Sequence, residues 1–181
     1  MDERTKGYVV GISAGVAVGI ILIAVILKVT KTNGRMKCEF DERQELIRGR
    51  GYKYGFGTLI LCNVLYAGIL EIGLKIPVEP DTAMFLMILM SVLVTVSYWI
   101  WNDAYFGLNV HRPRIMAAFV LLAALNLWLG VKGILEGRSV KNGRLTTGGL
   151  NLFCGIMFII VFAVLLAKHL RESFGVQEDE E

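Results

Sequence analysis

The strongest constraint on the fold is the way apolar and charged residues are separated along the chain. Long blocks with almost no charge alternate with short links that carry most of the charged residues. A helix needs about 20 mainly apolar residues to cross roughly 30 Å of hydrocarbon, where its backbone polar groups must be satisfied internally. The pattern therefore predicts an all-α fold, a polytopic bundle of transmembrane helices.

Five windows of the sequence have the length of a membrane span. They are residues 7–29, 54–76, 82–101, 113–135 and 147–170. Composition agrees, because 55% of the residues are hydrophobic before the 20 glycines are added. Ordinary soluble domains have roughly 45–50% with glycine included. We therefore predict five transmembrane helices in a single membrane domain that covers residues 1–181.

The first window, 7–29, is distinguished by a regular stripe of glycines. Its apolar run exceeds the roughly 7–15 residues of a signal-peptide core, and no small-x-small cleavage site follows it, so we expect a retained helix. Gly7, Gly11, Gly15 and Gly19 recur every four residues and share one helical face. Such a face lets another helix approach closely, either a neighbour in the same chain or the same helix in a homodimer.

The distribution of Lys and Arg predicts the orientation. Five crossings divide the links between two sides. The poorer side carries Arg4, Lys6, Lys75, Lys132, Arg138, Lys141 and Arg144. The richer side carries Lys28, Lys31, Arg35, Lys37, Arg43, Arg48, Arg50, Lys53, Arg112, Arg114, Lys168 and Arg171. Because cytoplasmic links are enriched in basic residues, we predict that the N-terminus lies outside and the C-terminus in the cytoplasm.

The segment 30–53 is predicted to be a cytoplasmic juxtamembrane segment. Asp41 is placed to cap a short helix, with Gln44 at the capping-box position. That helix would rest on the membrane surface with Phe40, Ile47 and Leu46 toward lipid. Its interfacial anchor at anionic headgroups would be Arg48, Arg50 and Lys53. The alternative is a docking site for a cytoplasmic partner.

Polar residues inside the spans mark a second candidate site. Several fall in the half of the bundle predicted to face outside: Asn63, Glu71, Lys75, Asn126, Lys132 and Asn151. An ionisable residue within a span is a functional candidate by default, and here Glu71 has Lys75 or Lys132 as its expected partner. Such a site could bind a cation, relay a proton or recognise a polar ligand. The alternative is a shallow ion pair that only holds the bundle together.

No pattern in the sequence predicts catalysis, a metal or a cofactor. There is no HExxH and no phosphate-binding loop. Cys38, Cys62 and Cys154 are widely spaced and read as free thiols. A net charge of +3 gives no reason to expect nucleic acid as a partner. The acidic C-terminal segment 172–181 is predicted to be a disordered tail.

The run from Phe40 to Gln44, with the sequence Phe-Asp-Glu-Arg-Gln, precedes an aromatic-rich helix. In this the chain resembles small uncharacterised membrane proteins of Gram-positive bacteria that share an Asp-Glu-Arg-Gln motif, over about Met36 to Gly130. The resemblance implies a bacterial origin and a plasma-membrane location. It implies no activity.

Two functions are compatible with these features. The first is a non-enzymatic accessory, sensory or immunity-type subunit that acts through helix–helix contacts, with the lipid bilayer and a second copy or another membrane protein as its partners. The alternative is a small transporter or channel that uses Glu71 and the polar groups of the outer half.

Overall fold

The computed structural model describes residues 39–108 and 112–178, together with 13–14, 17–18, 20–21, 24, 31–32 and 35–36. The chain divides into two compact units, Met1–Glu39 and Phe40–Glu181. In the first unit, the described residues between 13 and 24 are helical, and β1 (Lys31–Thr32) pairs antiparallel with β2 (Arg35–Met36). Most of the first predicted span lies outside the described residues, as do Gly7, Gly11, Gly15 and Gly19. The predicted count of five transmembrane helices is therefore not confirmed.

The second unit is mainly helical. Its helices are α1 (Glu42–Glu71), α2 (Pro80–Trp101), α3 (Arg112–Leu135) and α4 (Leu150–Glu178). A short hairpin of β3 (Val140–Lys141) and β4 (Arg144–Leu145) and a 3₁₀ turn, Thr147–Gly149, connect the last two helices. Among the described residues, four segments are long and apolar enough to cross a membrane: Glu42–Glu71, Pro80–Trp101, Ile115–Leu135 and Thr147–Arg171.

The four helices pack in the order α1, α2, α4, α3, so α1 and α3 form the two edges of the row. At one end of the unit, which we call the basic end, α1 and α3 begin and α2 and α4 end. Within residues 40–178 the basic end carries Arg43, Arg48, Arg50, Lys53, Arg112, Arg114, Lys168 and Arg171. The opposite end, called the far end, carries Lys75, Lys132, Arg138, Lys141 and Arg144.

Helix α1 corrects the predicted boundary between the juxtamembrane segment 30–53 and the span 54–76. One continuous helix of 30 residues begins at Glu42 and ends at Glu71. No proline interrupts it, so the hydrogen-bonded ladder propagates from the surface into the membrane. Its length of about 45 Å exceeds the roughly 30 Å of hydrocarbon, so this helix is longer than a membrane span requires.

Three helices end in the same way. The residue after each C-cap has positive φ: Gly73 (φ 73) after α1, Asp103 (φ 58) after α2 and Gly137 (φ 68) after α3. Each end shows the paired bonds of a Schellman motif; in α2, Ala104 N–H donates to the Trp99 carbonyl at 2.8 Å and Asp103 N–H to that of Ile100. The motif ends α1 at Glu71, five residues before the predicted span limit, because the chain turns at Gly73.

Helices α3 and α4 approach closely through glycine. A Cβ added at Gly130 would lie 2.6 Å from the Leu152 nitrogen, and one at Gly155 would lie 2.8 Å from Leu127 side-chain atoms. Helix α4 then continues to Glu178, and so occupies residues 172–178 of the segment predicted to be a disordered tail. The sequence after Leu170 holds no proline that would stop it.

The far end is closed by the β3–β4 hairpin. Asn142 (φ 51) and Gly143 (φ 72) form its two-residue turn, with both central residues at positive φ as a type I′ turn requires. Leu145 N–H donates to the Pro77 carbonyl at 2.8 Å, and Glu79 N–H donates to the Leu145 carbonyl at 2.9 Å. These bonds tie the hairpin to the link between α1 and α2.

Candidate functional site

The start of α1 is fastened to the loop that follows α2. Asp41 accepts a hydrogen bond from Gln44 N–H at 2.6 Å, and Gln44 Oε1 accepts from Asp41 N–H at 3.3 Å, which confirms the predicted capping box. The Gln44 side chain is buried, and its Nε2 donates to the carbonyls of Asp103 at 2.7 Å and Phe106 at 3.2 Å. One glutamine therefore both starts the helix and holds the loop.

Arg48, one turn further along α1, makes a second connection. Its guanidinium lies 4.1 Å from the ring centroid of Phe40 and 4.3 Å from that of Trp99. It also donates to the Ala104 carbonyl at 3.1 Å. A planar cation suits this position between two aromatic faces. Arg48 thus binds inside the protein, whereas we predicted it as part of the interfacial anchor.

The other residues of that predicted segment divide between the surface and the core. Arg50 and Lys53 are exposed and line a shallow surface depression with Glu42 and Glu45. Their position on the surface agrees with an interfacial role. Ile47, which we expected to face lipid, is instead buried against Trp99 and Ala104. A lipid-facing Ile47 is wrong because this stretch of α1 packs on α2.

Helix α1 crosses α2 at two glycines, Gly51 and Gly55, that the sequence analysis did not single out. A Cβ added at Gly51 would lie 2.2 Å from Trp99 Nε1, and one at Gly55 would lie 1.9 Å from Thr95 Oγ1. The close approach lets Trp99 Nε1 donate to the Arg48 carbonyl at 3.1 Å, and Ser91 Oγ to the Gly55 carbonyl at 2.8 Å. The signal was present as Gly-x-x-x-Gly, the same small-residue spacing that marks residues 7–19.

Beside this crossing runs an apolar groove of about 480 Å³, which we call the α1–α2 groove. It is lined by Tyr52, Phe56, Leu59, Ser91, Val92, Thr95, Val96 and Trp99. Asn63 follows Phe56 and Leu59 at seven and four residues, so it continues the α1 wall of the groove toward the far end.

The structure does not gather the six residues of the predicted intramembrane polar site. Asn63 and Glu71 lie on α1, and Lys75 follows it. Asn126 and Lys132 lie on α3, at the opposite edge of the row, and Asn151 lies on α4. Among the residues described, Lys132 Nζ lies 3.8 Å from Glu136, and no ion pair joins Glu71 to Lys75 or Lys132.

The two asparagines at mid-span make equivalent local bonds. Asn63 Nδ2 donates to the Leu59 carbonyl at 2.8 Å, and Asn126 Nδ2 donates to the Leu122 carbonyl at 2.8 Å. Each amide therefore bonds within its own helix rather than across the bundle. Of the two, Asn63 is the more exposed.

The basic end also holds a close ion pair and a half-buried tyrosine. Lys168 forms an ion pair with Asp103 and donates to the carbonyls of Ile100 at 3.0 Å and Trp101 at 3.2 Å, at the C-terminus of α2. Burial raises the pKa of the Tyr105 phenol, and the nearby Arg48 opposes that shift. Within the described part of the chain, no group of three His, Cys, Asp or Glu side chains is placed to hold a metal ion.

The fold defines the class of the protein: its second unit has the four apolar helices of a multi-pass membrane protein. Comparison with protein-family models, with curated proteins and with solved structures found no match. The particular function is therefore argued from the geometry alone.

Proposed function

We propose that this chain is a non-enzymatic subunit of a membrane complex, of accessory, sensory or immunity type, and that it acts through helix–helix contacts. The binding surface is the α1–α2 groove together with Asn63. Its occupant is a transmembrane helix of a second protein chain, which is either another membrane protein or another copy of this one.

The open arrangement of the helices supports an interaction role. Helix α1 lies at an edge of the row, and its main helix contact among the described residues of the second unit is with α2. Only 6% of its most apolar 18-residue window is buried inside the unit. The uncovered side therefore has room for another helix.

The observation that carries the proposal is the exposure of the Asn63 amide. It lies near the middle of the apolar part of α1 and stays exposed after donating to the Leu59 carbonyl. Hydrocarbon offers its carbonyl oxygen and second N–H no partner, which makes lipid an unfavourable environment for this side chain. A neighbouring helix can supply those hydrogen bonds, and asparagine is among the residues that join membrane helices in this way.

The α1–α2 groove next to Asn63 could hold the side chains of a neighbouring helix. Tyr52, Phe56 and Trp99 give it aromatic walls, and a helix seated there would reach Asn63 one turn beyond Leu59. Aromatic anchors beside a single polar contact are typical of specific interfaces.

The proposal places the basic end in the cytoplasm of a bacterial plasma membrane, with the N-terminus outside. The support is the excess of Lys and Arg at that end within residues 40–178, eight against the five named above for the far end. The Asp-Glu-Arg-Gln motif supports the bacterial origin by resemblance.

The test compares two matched substitutions, Asn63→Leu and Asn126→Leu. Both remove an amide that donates to its own helix at 2.8 Å. Complexes are released from source-cell membranes with mild detergent and sized by native gel electrophoresis. We expect wild type and Asn126→Leu to run as a discrete complex. We expect the Asn63→Leu complex to dissociate at a protein concentration about fivefold higher than the wild-type complex does. The reason is that losing roughly 1 kcal/mol of association free energy weakens binding by about that factor. A wild-type chain that runs alone, or an Asn63→Leu complex of unchanged stability, contradicts the proposal.

A further inference from the structure

A cavity at the basic end takes no part in the interface described above. It has a volume of about 220 Å³ and lies between the end of α2, the loop after it, α3 and α4. Ile100, Met116 and Leu165 give it apolar walls. A second depression adjoins it and includes Trp101 and Arg171. The two share Asp103 and Lys168, so they meet at the ion pair of these residues, and we call them together the amphipathic site.

The polar rim of the site carries an excess of positive charge. Lys168, His169 and Arg171 lie on the part of α4 that is next to the end of α2, and among the described residues that line either depression Asp103 is the only carboxylate. Lys168 and Arg171 against this one carboxylate leave a net positive charge among those described residues. The Lys168 ammonium is held by Asp103 and by the last carbonyls of α2, so the rim is fixed in place.

The site also lies at the depth of lipid headgroups. Trp101 is the last residue of α2 and is 48% exposed, and the Arg171 guanidinium lies 5.5 Å from its ring centroid. Trp and Tyr concentrate where a span meets the headgroup region. Tyr105 lines the cavity, and burial raises the pKa of its phenol, which therefore keeps a proton that it can donate.

From this geometry we propose that the site binds the phosphate-bearing headgroup of an anionic membrane lipid. The phosphate lies against Arg171, His169 and the Tyr105 hydroxyl. The glycerol and first acyl carbons lie on Ile100, Met116 and Leu165. The first cavity alone, at about 220 Å³, is smaller than the roughly 300–1,000 Å³ usual for a drug-sized ligand, and its size suits a lipid headgroup. Basic pockets between transmembrane helices are known to bind anionic headgroups.

The experiment titrates the purified full-length chain in mild detergent with phosphatidylglycerol and counts bound lipid by native mass spectrometry. Phosphatidylcholine with the same acyl chains serves as the lipid control. We expect one phosphatidylglycerol to bind more tightly than phosphatidylcholine. Arg171→Gln should weaken its binding about fivefold. Lys141→Gln removes the same charge from the far-end hairpin and should leave binding within about twofold of wild type.

A second variant distinguishes lipid binding in the cavity from general attraction of an anionic lipid to surface charge. Met116→Trp fills the cavity without changing any charge, and we expect it to weaken phosphatidylglycerol binding while the chain elutes from size exclusion as wild type does. Equal weakening by Arg171→Gln and Lys141→Gln, or no effect of Met116→Trp, would overturn the site. If inorganic phosphate or glycerol phosphate displaces the lipid at equal concentration, the ligand is a soluble phosphate and the lipid assignment is wrong.

Discussion

The two halves of α1 belong to one helix and yet differ in what surrounds them. The near half, residues 42–55, contains all four buried residues of the helix, which are Gln44, Ile47, Gly51 and Gly55. In the far half, residues 56–71, none is buried in the described structure. Contacts within the chain therefore bury part of the near half, whereas the polar side chain of the far half, Asn63, stays exposed.

The polar residues of α1 also differ between the two halves in the hydrogen-bond partners they have. In the near half, Gln44 and Arg48 donate to the loop after α2 and stabilise the fold of the chain itself. In the far half, Asn63 bonds only within its own helix and stays exposed. Substitutions in the near half should lower the free energy of unfolding, and those in the far half should affect association.

The largest effect is expected from Gly55→Leu. A Cβ there would lie 1.9 Å from Thr95 Oγ1 and 3.1 Å from the Ser91 carbonyl oxygen, so α1 must move away from α2. We expect a loss of about 3 kcal/mol in the free energy of unfolding, measured by thermal denaturation in detergent. Gly57→Leu is the matched control, because a Cβ at Gly57 meets nothing within 4 Å. Equal destabilisation by both variants would show that the halves do not differ.

Gln44→Leu should have the next largest effect. It removes the donor to the Asp103 and Phe106 carbonyls and half of the capping box. We expect a loss of about 2 kcal/mol, since carbonyls left without a donor in a buried site are costly. Glu45→Leu, at the exposed neighbouring position, should change the melting temperature little. A Gln44→Leu protein that melts with wild type would refute the role assigned to this glutamine.

Arg48→Lys tests whether the guanidinium is needed rather than its charge. Lysine keeps the positive charge but cannot lie flat between the rings of Phe40 and Trp99. We expect a loss of about 1 kcal/mol in urea or thermal titrations. Arg50→Lys, on the exposed surface, should have no measurable effect. If the two variants behave alike, Arg48 acts only as a surface cation.

The smallest expected effect is on the pH dependence of stability. Burial raises the pKa of Tyr105 above its ordinary value of 10.0, so the unfolded chain loses this proton at lower pH than the folded chain. The stabilisation is complete below pH 10 and is lost as pH rises through the folded-state pKa. Tyr105→Phe should lessen the fall in melting temperature as the pH is raised above about 10, the ordinary pKa of tyrosine. An unchanged fall in this variant would contradict the assignment.

Some of these features could be predicted from the sequence because they depend on local chemistry. Asp41 and Gln44 form the predicted capping box, since a cap needs only residues three apart. The windows 82–101, 113–135 and 147–170 coincide with helices because hydropathy over about 20 residues is itself the cause of a span. The Asn142-Gly143 turn also carried a readable hairpin signal that the sequence analysis did not use.

The contacts of the near half could not be predicted because they depend on which helices become neighbours. Nothing local distinguishes Arg48, which lies between two rings, from Arg50, which is exposed. Glu71 and Lys132 looked like partners along the sequence, but the row order puts their helices at opposite edges. Several glycine pairs in the chain have the spacing of a helix crossing, and only the fold shows that Gly51 and Gly55 form one.

The central claim, that the near half of α1 packs within the chain and the far half against another, is tested most directly by photo-crosslinking in native membranes. A photoreactive residue is placed in turn at positions 47, 56, 63 and, as a lipid-facing reference, at Leu121, which is 70% exposed on α3. We predict crosslinks within the chain from position 47, adducts to one discrete protein from positions 56 and 63, and lipid adducts alone from position 121. Lipid adducts alone from positions 56 and 63 would contradict the account.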